Sequence, residues 1–285
     1  MRLGDFEVYR DILLQESGVD INPEKTYLLE SRLTPIVTKW GYPTIESMTL
    51  ALRAVPDPEL IHDVVQAMTS NETWFFREPQ NYVTLGKYVI PYLVKQRKRK
   101  KSVRLWSAGC STGQEAWCMA LTAREALLEH KHWKVELLAT DISNESLEYA
   151  ERGIYNQHEA QNETSIRQLI KYFEQSRMGW NVKDELKTGV SFENSNLLHE
   201  TEDFGRFDAI FCCNVINEFS PEARAKALDN LAYHLEDDGF LFLGSEDKWV
   251  DDTGLFTTLP GHPHVLILSD GDYKMTDFPV TGSPE

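Results

Sequence analysis

The chain has 285 residues, a formal net charge of −16 and a hydrophobic content of 41%. That length allows one large α/β domain plus a small one, and the charge argues against a nucleic-acid surface, because phosphate backbones would repel it. No apolar run reaches the roughly 18 residues of a membrane span, and the start, Met1 to Glu7, lacks the apolar core of a signal peptide.

Four cysteines, Cys110, Cys118, Cys212 and Cys213, fall inside predicted elements. Their spacing suits neither a disulfide framework nor a zinc site, so a reduced cytoplasmic protein without metal is expected.

Residues 1–68 read as wholly helical. Phe6, Tyr9, Ile12 and Leu13 form one apolar stripe. Asn22-Pro23 opens a second helix, with Asn as the cap and Pro in the first turn, and Gly41 ends it. Lys25, Arg32 and Lys39 recur every seven residues along it, either as a solvated face or as a docking stripe for an acidic partner. Pro35 threatens a kink. A third helix is expected near Thr44 to Arg53, and a fourth over Asp57 to Met68.

The segment Met68 to Pro79 is different. Trp74, Phe75 and Phe76 have no helical period, and they sit among Asn71, Thr73 and Arg77, all hydrogen-bonding types. Such a mixture suits a functional loop held by aromatic anchors. A long helix follows, from Gln80 to about Arg97. The cluster Lys95 to Lys101 reads as its solvated basic end.

Val103 to Trp106 is a buried strand that runs into a turn containing Gly109 and Gly113, and a helix starts near Gln114. Strand, glycine turn and helix mouth form one half of a nucleotide-type pocket. Leu137 to Asp141 supplies the other half, an apolar strand ending in an acid suited to ribose hydroxyls. The glycines are spaced G-x-x-x-G, which is neither the dinucleotide fingerprint nor a Walker motif. Glu115 at the helix mouth would repel a pyrophosphate and suits a cation. A ligand with an adenosine end and a positive amino-acid end, S-adenosylmethionine, meets these demands.

Ser143 then caps a helix that Gly153 ends. Residues 154–195 break the α/β rhythm and read as a small inserted subdomain, with a helix near Ile166 to Phe173 and short runs at Trp180 to Val182 and Val190 to Phe192. Phe207 to Asn214 is the next buried strand, and Pro221 to Leu235 an amphipathic helix. Asp238-Gly239 is expected to turn into a strand over Phe240 to Gly244. A hairpin of Thr253 to Leu259 with His264 to Leu268 precedes a loose polar tail from Ser269.

These motifs together resemble the CheR-type chemotaxis receptor methyltransferases, which methylate receptor glutamate side chains. The carriers are Ser70-Asn-Glu-Thr-Trp-Phe-Phe-Arg77, Ser107-Ala-Gly-Cys-Ser-Thr-Gly-Gln-Glu115, Ala139-Thr-Asp-Ile142, Ser195-Asn-Leu-Leu198, Phe207 to Val215 and Leu241-Phe-Leu-Gly-Ser-Glu246. The resemblance covers most of residues 5–270. It implies an α/β fold with a Rossmann-like seven-stranded S-adenosylmethionine-dependent methyltransferase sheet, an all-helical N-terminal domain and a small inserted antiparallel β-subdomain. Domains are expected at 1–75 and 76–285, with the insertion at about 154–195.

Carried over residue by residue, the resemblance places cofactor contacts at Asn71, Thr73, Arg77, Glu115, Asp141, Asn196, Leu197, Cys213 and Asn214, beside Ala108 and Gly109 of the turn. It implies S-adenosylmethionine as cofactor, S-adenosylhomocysteine as product, and Arg77 beside the transferring methyl group as the catalytic residue. The implied partner is the cytoplasmic helical domain of methyl-accepting chemoreceptors, met by a monomer without nucleic acid or membrane insertion.

The chain departs from the family at two positions: Cys213 stands where Arg is usual, and Glu218 where Tyr is usual. A carboxylate near the methyl acceptor would repel a glutamate unless screened. A further methyl acceptor, protein or small molecule, and a signalling module that only senses the cofactor are therefore the alternatives. The short turn at Gln175 to Trp180 lacks the longer loop with which relatives grip a receptor's C-terminal tether, so tether-independent recognition is expected.

Overall fold

The computed structural model describes residues 1–69, 72–161, 164–199, 204–247 and 253–278. The chain divides into two compact units, Met1–Ser70 with Ile216–Ala227, and Asn71–Val215 with Leu228–Glu285.

In the first unit four helices follow one another: α1 (Leu3–Ser17), α2 (Thr26–Lys39), α3 (Ile45–Ala54) and α4 (Pro58–Met68). Their boundaries come from local chemistry. The Thr44 side chain accepts from Ser47 N and starts α3, and Asp57 accepts from Glu59 N and Leu60 N and starts α4. A 3-10 turn capped by Asn22 leads into α2, which runs on through Pro35. Tyr9, Leu13, Leu29, Leu33, Met48 and Val64 have no exposed surface and fill the core of the bundle.

The cations of α2 and its entry turn are occupied within this unit. Lys25 pairs with Glu218 at 3.3 Å, Lys39 with Asp63 at 2.7 Å, and Arg32 Nη1 donates to the Met68 carbonyl at 2.8 Å. All three cations of the seven-residue spacing thus have partners within the unit.

The second unit opens with α5 (Pro79–Thr84), a π-helical stretch (Leu85–Val89) and α6 (Ile90–Gln96). The expected single helix is thus widened in its middle. Pro91 cannot donate, and its ring crowds the carbonyl four residues back, so the turn before it opens and Ile90 N reaches Leu85 O.

Next come β1 (Ser102–Ala108), α7 (Gln114–Ala126), β2 (Lys134–Asp141), α8 (Asn144–Arg152), β3 (Ile154–Tyr155), α9 (Gln157–Gln161), α10 (Ile166–Tyr172), β4 (Phe173–Ser176), β5 (Gly179–Val182) and α11 (Asp184–Lys187). They are followed by β6 (Val190–Asn194), β7 (Phe207–Cys212), α12 (Pro221–Tyr233), β8 (Leu235–Leu243), β9 (Phe256–Leu259) and β10 (His262–Leu268). The main sheet has seven strands in the order β6-β2-β1-β7-β8-β10-β9, and β3, β5 and β4 make a small separate sheet. Strands β6 through β8 run parallel, and β10 and β9 add antiparallel. β1, β2 and β6 fill one side before the chain returns to β7 on the other flank of β1. That reversal puts the topological switch at the carboxyl ends of β1 and β7, where open α/β sheets bind ligands.

Several sequence expectations need correction. Val190 to Phe192 belongs to the main sheet, as edge strand β6 paired with β2 from Leu137↔Val190 to Asp141↔Asn194. Its half-polar burial made it look like part of the insertion. β8 begins at Leu235, and Asp238-Gly239 lies in a bulge between the pairs Phe207↔Leu235 and Ala209↔Phe240. Arg97 fastens this irregularity: its Nε donates to Asp208 Oδ1 at 2.8 Å and its Nη atoms engage the Asp238 carboxylate. The basic cluster therefore has one inward member, while Lys98 to Lys101 are exposed. β9 starts later than expected, at Phe256. The tail is tied down as far as Phe278, which stacks at 6.0 Å on Tyr88, and Tyr273 donates to the Gly239 carbonyl.

The small sheet behaves as expected at its turn. Ser176 pairs with Gly179, so only Arg177 and Met178 connect β4 to β5. The four cysteines are free thiols. Among the described residues no helix is long and apolar enough to cross a membrane, and no cluster of metal-binding side chains occurs.

Candidate active site

Parallel register gathers the carboxyl ends of β1, β2, β6 and β7. Ala108 lies beside Thr140, Asp141 beside Asn194, and Ser107 beside Phe211. The turn after β1 is fastened to β2, since Gly109 N and Cys110 N both donate to the Thr140 carbonyl, at 2.8 and 2.9 Å. Two glycines make this path possible. Gly109 has φ +84° and faces Val215, which an added Cβ would meet at 2.5 Å. Gly113 has φ +94°, and its Cβ would lie 2.6 Å from Ala150 Cβ. Ala108 is fully buried and supports the turn.

Asp141, at the end of β2, is nearly buried. Its Oδ2 accepts from Ser111 N at 2.8 Å and its Oδ1 from Ser143 N at 2.9 Å. Burial raises its pKa, and the amides of Ser143, Ser111 and Ile142 oppose the rise. A carboxylate has about four acceptor sites, so the three amides leave it capacity for one further donor such as a ribose hydroxyl.

Glu115 stands in the first turn of α7, half-buried, and accepts from Ser107 Oγ at 2.7 Å. Burial pushes its carboxyl up to about 7; hydrogen bonds from Ser107 and Cys213 pull it down, and Asp247 and Glu78 add repulsion. The repulsion from Asp247 and Glu78 marks a negative region, which fits a positively charged ligand better than a phosphate.

At the end of β7, Cys213 is half-buried, and burial raises its thiol pKa, so it stays neutral near pH 7 where the usual Arg would be charged. Asn81 of α5 anchors this corner. Its Nδ2 donates to the Leu243 carbonyl at 2.8 Å and lies 3.5 Å from Cys213 Sγ. Asn214 adopts φ +61°; its N donates to Asp247 Oδ2 at 2.7 Å and its Nδ2 to Glu78 Oε1 at 3.1 Å. Asn214 Oδ1 is buried with no donor among the described residues, an acceptor open to a ligand N–H. After β6, Asn196 Oδ1 accepts from Leu198 N, and the buried Leu197 gives its carbonyl to Asn230 Nδ2.

The aromatic loop is anchored as its composition suggested. Phase is set by Phe75, buried edge-on against Tyr155 at 4.9 Å and Phe173 at 5.4 Å. Phe76 takes a left-handed φ of +56° while its N donates to Cys118 Sγ at 3.2 Å and its ring meets Tyr82. These contacts hold Arg77, whose guanidinium lies 4.7 Å from the Trp74 ring centre, donates to Glu72 O at 2.6 Å and sits 3.9 Å from Glu246. Thr73 is half-buried beside them; Asn71 lies outside the described residues. Glu218 belongs to the first unit, where Lys25 screens it, the role the sequence reading left to Arg77 or solvent.

Sequence reasoning missed Glu78, Asn81, Asp247 and Tyr155. No local motif marks them; their partners lie far along the chain.

The all-alpha domain model of the CheR methyltransferases matches residues 4–69, and the model of their S-adenosylmethionine-binding domain matches residues 71–265. The chain belongs to the CheR methyltransferase family. A chemotaxis protein methyltransferase of Vibrio parahaemolyticus is 32% identical over 90% of this chain and 95% of its own length. Chemotaxis protein methyltransferase 1 of Pseudomonas aeruginosa is 31% identical over 94% of this chain and 96% of its own. As a CheR methyltransferase, the protein is an enzyme that uses S-adenosylmethionine. The glycine turn, the two acids and the open Asn214 acceptor fit that cofactor.

Proposed function

We propose that the protein methylates glutamate side chains on the cytoplasmic helices of chemoreceptors, forming glutamyl methyl esters. The observation that carries this reading is Arg77. Its guanidinium is held by Trp74 and the Glu72 carbonyl and is 22% exposed, a planar fork of the kind that binds carboxylates in two-point fashion. The relatives' names, all chemotaxis protein methyltransferases, agree with a receptor acceptor.

Bound S-adenosylmethionine supplies a methyl group on a sulfonium, already a good leaving group. A glutamate carboxylate is ionised at neutral pH, so the chain needs no general base. A carboxylate oxygen forms the new bond to the methyl carbon as the sulfur–carbon bond breaks, and no proton moves. The residues then act by positioning and by excluding water. In this reading Asp141 takes the ribose hydroxyls, Glu115 the amino-acid end, and Ala108, Gly109, Asn196, Leu197, Cys213 and Asn214 shape the pocket. Asn71, Thr73 and Arg77 come from the aromatic loop, with Arg77 orienting the acceptor carboxylate.

The same reading makes recognition independent of a receptor tether, since the β4–β5 turn is only two residues long. It has the protein act in the cytoplasm as a monomer, and it keeps the domain boundary after residue 75, which leaves Arg77 in the catalytic domain. Binding of a receptor tail peptide, measured by titration, would overturn tether independence. Arg77 tests the core of the reading. Arg77→Ala is expected to bind S-adenosylhomocysteine within a few-fold of the parent and to lose most methyl transfer. Normal turnover would remove the assigned role.

A further inference from the structure

One side chain of the inserted subdomain reaches the cofactor turn. Tyr155, in the first strand of the small sheet, is fully buried. Its hydroxyl donates to the Thr112 carbonyl at 2.7 Å, inside the glycine turn. An added Cβ on Gly113 would meet this hydroxyl at 3.0 Å, beside Ala150, so the turn is packed closely against it. The ring's edge-on contact with Phe75 reaches the aromatic loop that carries Arg77. β3 pairs Tyr155 with Trp180 of β5, joining it to the rest of the small sheet.

We infer that Tyr155 is a positioning residue for S-adenosylmethionine: it fixes the carbonyl of Thr112 and the ring of Phe75 together, and so couples the inserted subdomain to the cofactor turn. The inference rests on the reading that places the cofactor at this turn. Three connections at one buried side chain support it: a hydrogen bond to the turn, a ring contact to the loop and strand pairing to the subdomain. Tyr149 provides an internal comparison. It also packs on Tyr155, at 5.7 Å, but its hydroxyl donates to Glu159 at 3.1 Å and none of its hydrogen bonds reaches the turn.

The test compares Tyr155→Phe with Tyr149→Phe in the full chain, by calorimetric titration with S-adenosylhomocysteine and by thermal melting. Loss of one hydrogen bond that shapes the turn is expected to weaken binding about three- to tenfold in Tyr155→Phe. Tyr149→Phe is expected to bind like the parent. In turnover, Tyr155→Phe should raise the KM for S-adenosylmethionine and leave the acceptor KM unchanged. Unaltered binding in Tyr155→Phe, or equal weakening in both variants, would overturn the inference.

Hydrogen exchange on the parent protein gives a readout that does not depend on a variant folding. Cofactor binding should slow exchange in residues 154–155 and 179–182 as well as in the turn, and protection confined to the turn would overturn the coupling. Absence of binding by the parent itself would instead defeat the cofactor reading, and Asp141→Asn, expected to weaken binding strongly, checks the location independently.

Discussion

Glu115 is expected to make cofactor affinity a function of pH. Burial holds its carboxyl at about 7 in the unliganded chain, well above the ordinary 4.5. A positively charged amino-acid end favours the ionised form, so the bound state has the lower pKa and binding releases a proton below pH 7. Affinity then follows the ionised fraction of the free protein. With a pKa of about 7, that fraction is about nine-tenths at pH 8 and about one-tenth at pH 6, a tenfold loss of affinity or about 1.4 kcal/mol. Above about pH 8 the ligand's own amino group loses its charge, and the gain levels off.

The assay is calorimetric titration with S-adenosylhomocysteine from pH 5.5 to 8 in buffers of different ionisation enthalpy, which also counts the released proton. Glu115→Gln should bind weakly and with little dependence on pH over that range. The sign is opposite for the empty protein: a carboxyl whose folded pKa is raised favours folding below about 4.5 and loses that advantage as pH rises through 7. A flat wild-type profile, or the same slope in Glu115→Gln, would refute the assignment of this acid to the cationic end of the ligand.

Three further outcomes follow from contacts in the second unit. Gly113→Ala places a methyl group 2.6 Å from Ala150 Cβ at a left-handed φ, and should cost about 1–3 kcal/mol in urea unfolding together with cofactor affinity. Phe75→Ala removes a buried ring from between Tyr155 and Phe173 and should cost about 3–5 kcal/mol, read by the same unfolding assay, with transfer falling further than the loss of folded protein explains. Arg97→Met leaves Asp208 buried without its cation and should lower stability by about 3 kcal/mol, and the methyltransferase activity of the remaining folded fraction should be unchanged.

The helices of the first unit were legible because their ends are written locally: Thr44 and Asp57 cap their own next turns. The glycine turn was legible for the same reason, since strand, glycines and helix start lie close together in the chain. What escaped reading depends on distant partners. β6 is an edge strand with a half-polar pattern, and only its pairing with β2 distinguishes it from the inserted strands. The extra length of β8 depends on Arg97 holding Asp238 across the sheet. Asn81 matters because it meets Leu243, which lies 162 residues away, and Tyr155 because it reaches back to Thr112. Glu218 was read as a threat to substrate, because its screening partner, Lys25, is encoded 193 residues earlier.

The central claim is glutamate methyl esterification, and its most direct measurement is transfer from methyl-labelled S-adenosylmethionine to chemoreceptor cytoplasmic fragments, followed by mild alkali. Methyl esters hydrolyse there, so the account predicts label on the receptor that is released as volatile methanol. Label that survives alkali, or no transfer from a protein that still binds S-adenosylhomocysteine, would contradict it.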